Sequence, residues 1–300
     1  MTPFTLRLGC RTLRFGPSAS VMAILNVTPD SFSDGGRYAS ARDAVEAGLR
    51  FAGEGAALVD VGGESTRPRG PAYGGGAGEV SEGEEAERVV PVVEGLRDAD
   101  GELPISVDTR RASVARLALE AGADVVNLVA GPEPPEGLLE LVAATGAGIV
   151  LSHMRGTPST TFEVSRFGPD VVADVAQDLA HARRLCLVAG IRPDLILLDP
   201  GLGFGKGPEQ NFTLLGRIDQ VAPEGVPVVL GASRKAFLGS LSGRPAGERL
   251  PESLAACAVA IAALSGRNPL LLRVHDVAET VRFVRLLEAA AAAARSQGPS

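Results

Sequence analysis

The sequence has no apolar run of the ~18 residues needed to cross a membrane. Its longest, AACAVAIAAL at 255–264, suits a buried helix. No basic stretch followed by an apolar core opens the chain, so no secretory signal is expected. Cysteine is scarce, and Cys10, Cys186 and Cys257 lie far apart. They form neither a disulfide framework nor a paired metal motif. All three are expected to be buried thiols in a reducing cytoplasm. Positive charge is in deficit too: 29 Lys and Arg stand against 36 Asp and Glu, for a net charge of −7. That argues against a nucleic-acid surface. An anionic ligand would need a local cluster of cations, because the overall field repels it.

Apolar strand-like runs are plentiful. They fall at 21–26, 56–61, 104–108, 124–129, 147–152, 194–199, 226–231 and 269–274. None alternates strictly, which predicts a parallel sheet buried on both faces. Helical patterns separate them, at roughly 40–53, 81–97, 111–121, 135–144, 169–189, 209–216, 247–265 and 276–294. Eight strand–helix units in 300 residues predict a single-domain TIM barrel over 1–300. A doubly wound open sheet is the rival, but it would carry a Gly-rich fingerprint after its first strand, where this chain has NVTPDSFSDGG. Mobile loops are expected at about 27–39 and 62–80, and a frayed tail at about 290–300.

Barrel chemistry sits where the strands end. Those ends carry Asn26, Asp60, Asp108, Asn127, His153, Asp199, Ser233, Arg234, Lys235, Arg273 and His275. Any one of them has a bland reading; Asp60 or Asp199 could simply cap a loop. A whole ring of buried polar groups is costly unless each finds a partner, which a polar ligand would supply. Asp108, Asn127 and Asp199 suit the amidine-like edge of a flat heterocycle. Arg234, Lys235, Arg273 and His275 suit a diphosphate. Asn26 offers Mg²⁺ a neutral oxygen.

Six segments then carry a resemblance: ILNVTPDSFSDGG (24–36), DVGGESTRPR (60–69), SVDTR (106–110), LLDPGLGFGK (197–206), GASRKAFLG (231–239) and RVHDV (273–277). Together they resemble the dihydropteroate synthase family. The resemblance implies a TIM barrel that joins 6-hydroxymethyl-7,8-dihydropterin diphosphate to p-aminobenzoate, releasing pyrophosphate. It implies that Asp108, Asn127, Asp199 and Lys235 hold the pterin, with Met154 against its ring and Gly231 and Arg234 among the lining residues. Thr66, Arg67, Arg273 and His275 would bind the diphosphate, and Asn26 the Mg²⁺. Pro68, Phe204, Ser233 and Lys235 would border the aminobenzoate pocket. Asp34 would act from the first loop, beside Asp108, Lys235, Arg273 and His275 as catalytic groups. The chain departs from the family in having Leu128 after Asn127, Ala236 after SRK, and a long Gly-rich insert at 69–78.

Three other readings compete. A Schiff-base aldolase would use Lys235 as nucleophile. A pterin-binding methyltransferase domain would have no need of SRK or RVH. A silent paralogue would bind pterin without turnover. GLGFGKG (201–207) lacks the ending of a phosphate-binding loop and reads as a flexible connection. His181 reads as a surface residue. The helix 252–264 is apolar all round, which predicts a homodimer that covers its outer face.

Overall fold

Runs of Val, Ile and Leu with no polar alternation have only one stable setting, a sheet covered on both sides. The computed structural model describes residues 4–27, 40–64 and 80–296. A hairpin comes first, β1 (Thr5–Leu8) with β2 (Arg11–Arg14). The barrel strands follow: β3 (Ser20–Asn26), β4 (Leu58–Gly62), β5 (Ile105–Asp108), β6 (Val125–Ala130), β7 (Gly148–His153), β8 (Ile196–Asp199), β9 (Val228–Leu230) and β10 (Leu270–Val274). They are parallel and close in the order β10-β3-β4-β5-β6-β7-β8-β9. This is the expected TIM barrel.

Helices cover the outside: α1 (Ala41–Glu54), α2 (Glu82–Ala99), α3 (Ala112–Glu120), α4 (Leu138–Thr145), α5 (Thr161–Val164), α6 (Val171–Val188), α7 (Pro208–Gly216), α8 (Ala236–Ser242), α9 (Leu250–Leu264) and α10 (Val277–Ser296). Local chemistry sets their ends. Ser40 accepts from the Asp43 amide to start α1, and Gly55 stops it in the left-handed region at φ 106°. Ser81 and Glu84 form a reciprocal capping box on α2. Asp170 caps α6 and is itself held by Arg217.

Several expectations change. The hairpin was not foreseen. Its Leu6, Leu8 and Leu13 are buried, and Leu8 stands 3.1 Å from where a Gly148 Cβ would sit at the start of β7. It therefore packs against the N-terminal end of the barrel, away from the strand ends that carry the polar ring. Cys10, at its turn, is exposed, whereas Cys186 and Cys257 are buried as expected. The connection 200–206 is buried throughout, not a loose link. The Ala-rich end of α10 stays helical to Ser296, because Ala has the highest helix propensity. The loops expected at 27–39 and 62–80 lie mostly outside the described residues. His181 is partly exposed, and its Nδ1 lies 3.3 Å from Arg184 Nη2. In α9, Ala256 and Ala260 are buried against the molecule, while Ala255, Val259 and Ala262 face outward. Among the described residues no helix is long and apolar enough to cross a membrane.

Candidate active site

Strand register brings the polar ends together. Gly62 pairs with Asp108, and Asp108 with Asn127, across β4, β5 and β6. Ser152 pairs with Asp199 across β7 and β8. Because parallel strands end at a common level, these side chains share one mouth.

Asp60, read from the sequence as one of the polar strand ends or else a loop cap, is the hub on one side. It is fully buried. Its Oδ2 accepts from Asn127 Nδ2 at 3.0 Å and from Arg273 Nε at 2.7 Å. Arg273 Nη2 also donates to Asp108 Oδ2 at 2.7 Å. The remaining oxygens, Asp60 Oδ1 and Asp108 Oδ1, are buried and find no hydrogen-bond partner among the described residues. Such acceptors are expensive in a folded protein and mark a place where a donor belongs. Asn127 Oδ1 faces the Ser152 hydroxyl at 3.4 Å. Burial pushes Asp108 up to about 7, against the opposing pull of Arg273. Burial would lower Arg273, but Asp60 and Asp108 together hold it above its ordinary value.

Across the mouth, Asp199 accepts from the Gly201 amide at 2.7 Å. Burial raises its pKa, opposed by the Lys235 ammonium. A side chain at Gly231 would place its Cβ 3.4 Å from Asp199 Oδ2, so glycine keeps that approach open. Lys235 donates to the Leu202 carbonyl, and its Nζ stands 4.1 Å from the Phe204 ring centroid. Burial brings its pKa down to about 8. Met154, Phe204 and Val129 form a small separate apolar cluster. Ser233 Oγ lies 3.0 Å from His275 Nδ1.

Two cations of the expected diphosphate set differ from expectation. Arg234 binds Asp276 through two nitrogens, Nε and Nη2. Its backbone is the one non-glycine left-handed position among the described residues, at φ 58°. His275 is neutral here: burial and the nearby Arg234 and Arg273 push it down to about 3. Asp34, Thr66, Arg67 and Pro68 lie outside the described residues.

Asn26 ends β3, and a Cβ on Gly62 would sit 3.5 Å from both its Oδ1 and Asp108 Cβ. Among the described residues no cluster of three or more His, Cys, Asp or Glu is arranged for a metal. An amide oxygen near the Asp108 carboxylate fits Mg²⁺ held mainly by substrate phosphates, not a cage of protein ligands.

The family pattern described as pterin binding enzyme matches residues 22–275. The chain is 45% identical over 269 residues to the dihydropteroate synthase of Escherichia coli, which covers 90% of each chain. The chain belongs to the pterin-binding enzymes, among the dihydropteroate synthases. A Xanthomonas albilineans dihydropteroate synthase solved with 4-aminobenzoic acid superposes with TM-score 0.84 at 41% identity, over 97% of this chain and 99% of that one. A structure of the Xanthomonas albilineans enzyme with 7,8-dihydropteroate gives TM-score 0.80 at 38% identity, over 96% and 99%.

Sequence reasoning missed part of this pterin-binding enzyme's mouth. Lys206 and His153, both buried, form a polar group with the half-buried Arg155 and Asp178. The one available signal was a lysine directly after three spaced glycines and a phenylalanine. No motif marks Asp178 or Arg155, whose partners lie across the fold.

Proposed function

We propose that the chain condenses 6-hydroxymethyl-7,8-dihydropterin diphosphate with p-aminobenzoate at the barrel mouth. The observation that carries the reading is the pair of orphaned buried oxygens, Asp60 Oδ1 and Asp108 Oδ1, beside Asn127 and opposite Asp199. A pterin's amidine edge supplies N–H donors in matching number. Relatives solved with 4-aminobenzoic acid and with 7,8-dihydropteroate, one substrate and the product of this reaction, support the reading.

In this reading Asp108, Asn127, Asp199 and Lys235 hold the pterin, and Met154 packs on its ring. Lys235, Phe204 and Ser233 border the aminobenzoate. The C–O bond to the diphosphate breaks first, and the leaving group takes the electron pair. The electron-rich dihydropterin spreads the resulting positive charge, which the Asp108 carboxylate stabilises. Arg273 and His275 meet the negative charge growing on the leaving group. A diphosphate beside His275 would restore the proton that burial removes. The aniline nitrogen then bonds to the methylene carbon and releases a proton. Asn26, with substrate phosphate oxygens, would hold Mg²⁺, which when bound neutralises phosphate charge. Asp34, Thr66, Arg67 and Pro68 complete the proposal from the two loops.

We further infer that residues 1–300 act as one domain in the cytoplasm, as a homodimer through the outer face of α9. The silent-paralogue reading has only Leu128 and Ala236 behind it. Leu128 is fully buried in the core and takes no polar part at the mouth.

Asp199→Asn tests the site. An amide presents NH₂ to one of two N–H donors, so pterin-analogue affinity should fall roughly tenfold or more by titration calorimetry. Unchanged binding would remove Asp199 from the pterin site.

A further inference from the structure

The connection 200–207 between β8 and α7 is built around one buried amine. Gly201, Gly203 and Gly205 take left-handed conformations, at φ 65°, 84° and 62°. Two of them cannot carry side chains for a second reason. A Cβ on Gly201 would stand 1.8 Å from the His153 carbonyl oxygen, and one on Gly205 2.3 Å from Ser165 Oγ. A segment this rich in glycine loses much entropy on ordering, so something must hold it. Lys206 supplies that hold. Its Nζ donates to the Gly201 carbonyl at 2.9 Å and to the Phe204 carbonyl at 3.1 Å. It also reaches His153 Nδ1 at 3.0 Å and the His153 carbonyl at 3.4 Å.

The partners of Lys206 are themselves tied down. The Asp178 carboxylate takes the proton of His153 Nε2, so Nδ1 of the neutral ring is bare and accepts from Lys206, whose own pKa burial lowers well below its ordinary value. Nε2 faces Asp178 Oδ2 at 3.0 Å, and that oxygen also accepts from Arg155 Nε at 2.8 Å. The ring stays neutral, because burial and the Lys206 charge push its pKa down to about 4. A second tie comes from α7, where Asn211 accepts from the Gly203 amide and donates to the Lys206 carbonyl.

Held this way, the segment presents two features to the mouth, the Leu202 carbonyl and the Phe204 ring, and both meet Lys235. We propose that Lys206 is a positioning residue for the aminobenzoate pocket: by gripping the Gly201 and Phe204 carbonyls it fixes the Phe204 ring and the Leu202 carbonyl against Lys235. This rests on the reading above that Phe204 and Lys235 border that pocket. Asp199 lies at the end of β8, before the segment, and is tied to it by the Gly201 amide and by the charges of Lys235 and Lys206, whereas the pterin's other partners, Asp108 and Asn127, stand on β5 and β6 away from it. Loss of the grip therefore acts on aminobenzoate more than on the pterin.

Met and Gln have equal length, but only Gln keeps an N–H donor, so the two replacements isolate the grip from the bulk. With Lys206→Met, KM for p-aminobenzoate should rise roughly tenfold or more. KM for the pterin diphosphate and kcat should stay within about threefold. Lys206→Gln should fall between Lys206→Met and the wild type, and it carries the test alone if Lys206→Met does not fold. Unchanged KM values overturn the proposal, and so does an equal rise for both substrates, the mark of a merely structural role. Wild-type pyrophosphate release tests the parent reading separately. Amide hydrogen exchange over 200–207, measured without substrates, tests the grip whatever the turnover. Faster exchange in the variants is expected, and unchanged exchange overturns the proposal.

Discussion

Lys235 is the residue on which the two halves of the mouth meet. It faces Asp199 electrostatically, donates to Leu202 and lies over Phe204. Removing a charged hydrogen bond of this kind costs ~1.5–3 kcal/mol, so Lys235→Ala should lower kcat/KM by roughly 10–150-fold. The sign of the pH dependence follows from burial. Asp108 is pushed up to about 7, so its carboxylate form, the one that accepts pterin N–H groups, gains as pH rises through that value. Lys235 is brought down to about 8, so its ammonium form is lost as pH rises further. kcat/KM for the pterin substrate should be bell-shaped, with limbs near these values. Lys235→Ala should lose the alkaline limb and keep the acid one. A variant profile that retains both limbs would contradict the assignment. Asp108, Asn127, Asp199 and Lys235 were legible because the pattern of apolar runs locates the strands: Asp108 and Asp199 end theirs, Asn127 lies within β6, and Lys235 comes shortly after β9. Asp60's hub role and the Lys206 grip were not. Both depend on contacts between residues far apart in the chain, such as Arg273 with Asp60 and Lys206 with His153, which no local spacing encodes. The left-handed turn at Arg234, which hands its guanidinium to Asp276, was hidden for the same reason.

Elements were readable in proportion to how completely they are buried. The barrel strands, covered on both faces, stand out as unbroken apolar runs. The hairpin β1–β2 does not, because only Leu6, Leu8 and Leu13 turn inward and the rest is polar. Short α5 and α8 lie inside connections and show no periodicity of their own. The hairpin packs at the end of the barrel opposite the mouth, so its contribution is stability. Leu6→Ala should cost ~2–5 kcal/mol in denaturant unfolding while leaving both KM values near wild type. A selective change in one KM would show that the hairpin reaches the site. Helix α9 is apolar on its outer side as well as its inner one, and Val259 there remains 42% exposed. Leu241, on neighbouring α8, is 74% exposed. If a second copy covers this face, light scattering should give about twice the 30.8 kDa chain mass. Val259→Glu should shift it to the monomer. Charging Ala256 or Ala260 would be uninformative, since both are buried within the subunit. A wild-type mass equal to one chain at micromolar concentration would sink the dimer.

At the scale of the whole molecule, an acidic chain has to hold two anionic substrates. The barrel does this by setting Lys235 and Arg273 near the strand ends and letting Asp199, Asp60 and Asp108 balance them. That balance explains why formal charge was a poor guide to the ligand and the strand-end inventory a better one. Parallel topology made the inventory readable: once the eight strands are located, their C-terminal ends are known to open on one mouth. What the topology leaves open is which side chains pair before a ligand arrives. Here Arg273 rests on Asp60 and on Asp108, the latter a carboxylate expected to face the pterin. Turnover therefore requires that pterin donors and substrate phosphates redistribute these pairs. The measurement that bears most directly on this is pyrophosphate release, followed with the pterin diphosphate, p-aminobenzoate and Mg²⁺ together and with each substrate left out in turn. The account predicts sustained release, with one dihydropteroate formed per pyrophosphate, only when both substrates are present. Pterin binding without any pyrophosphate release under those conditions would contradict it.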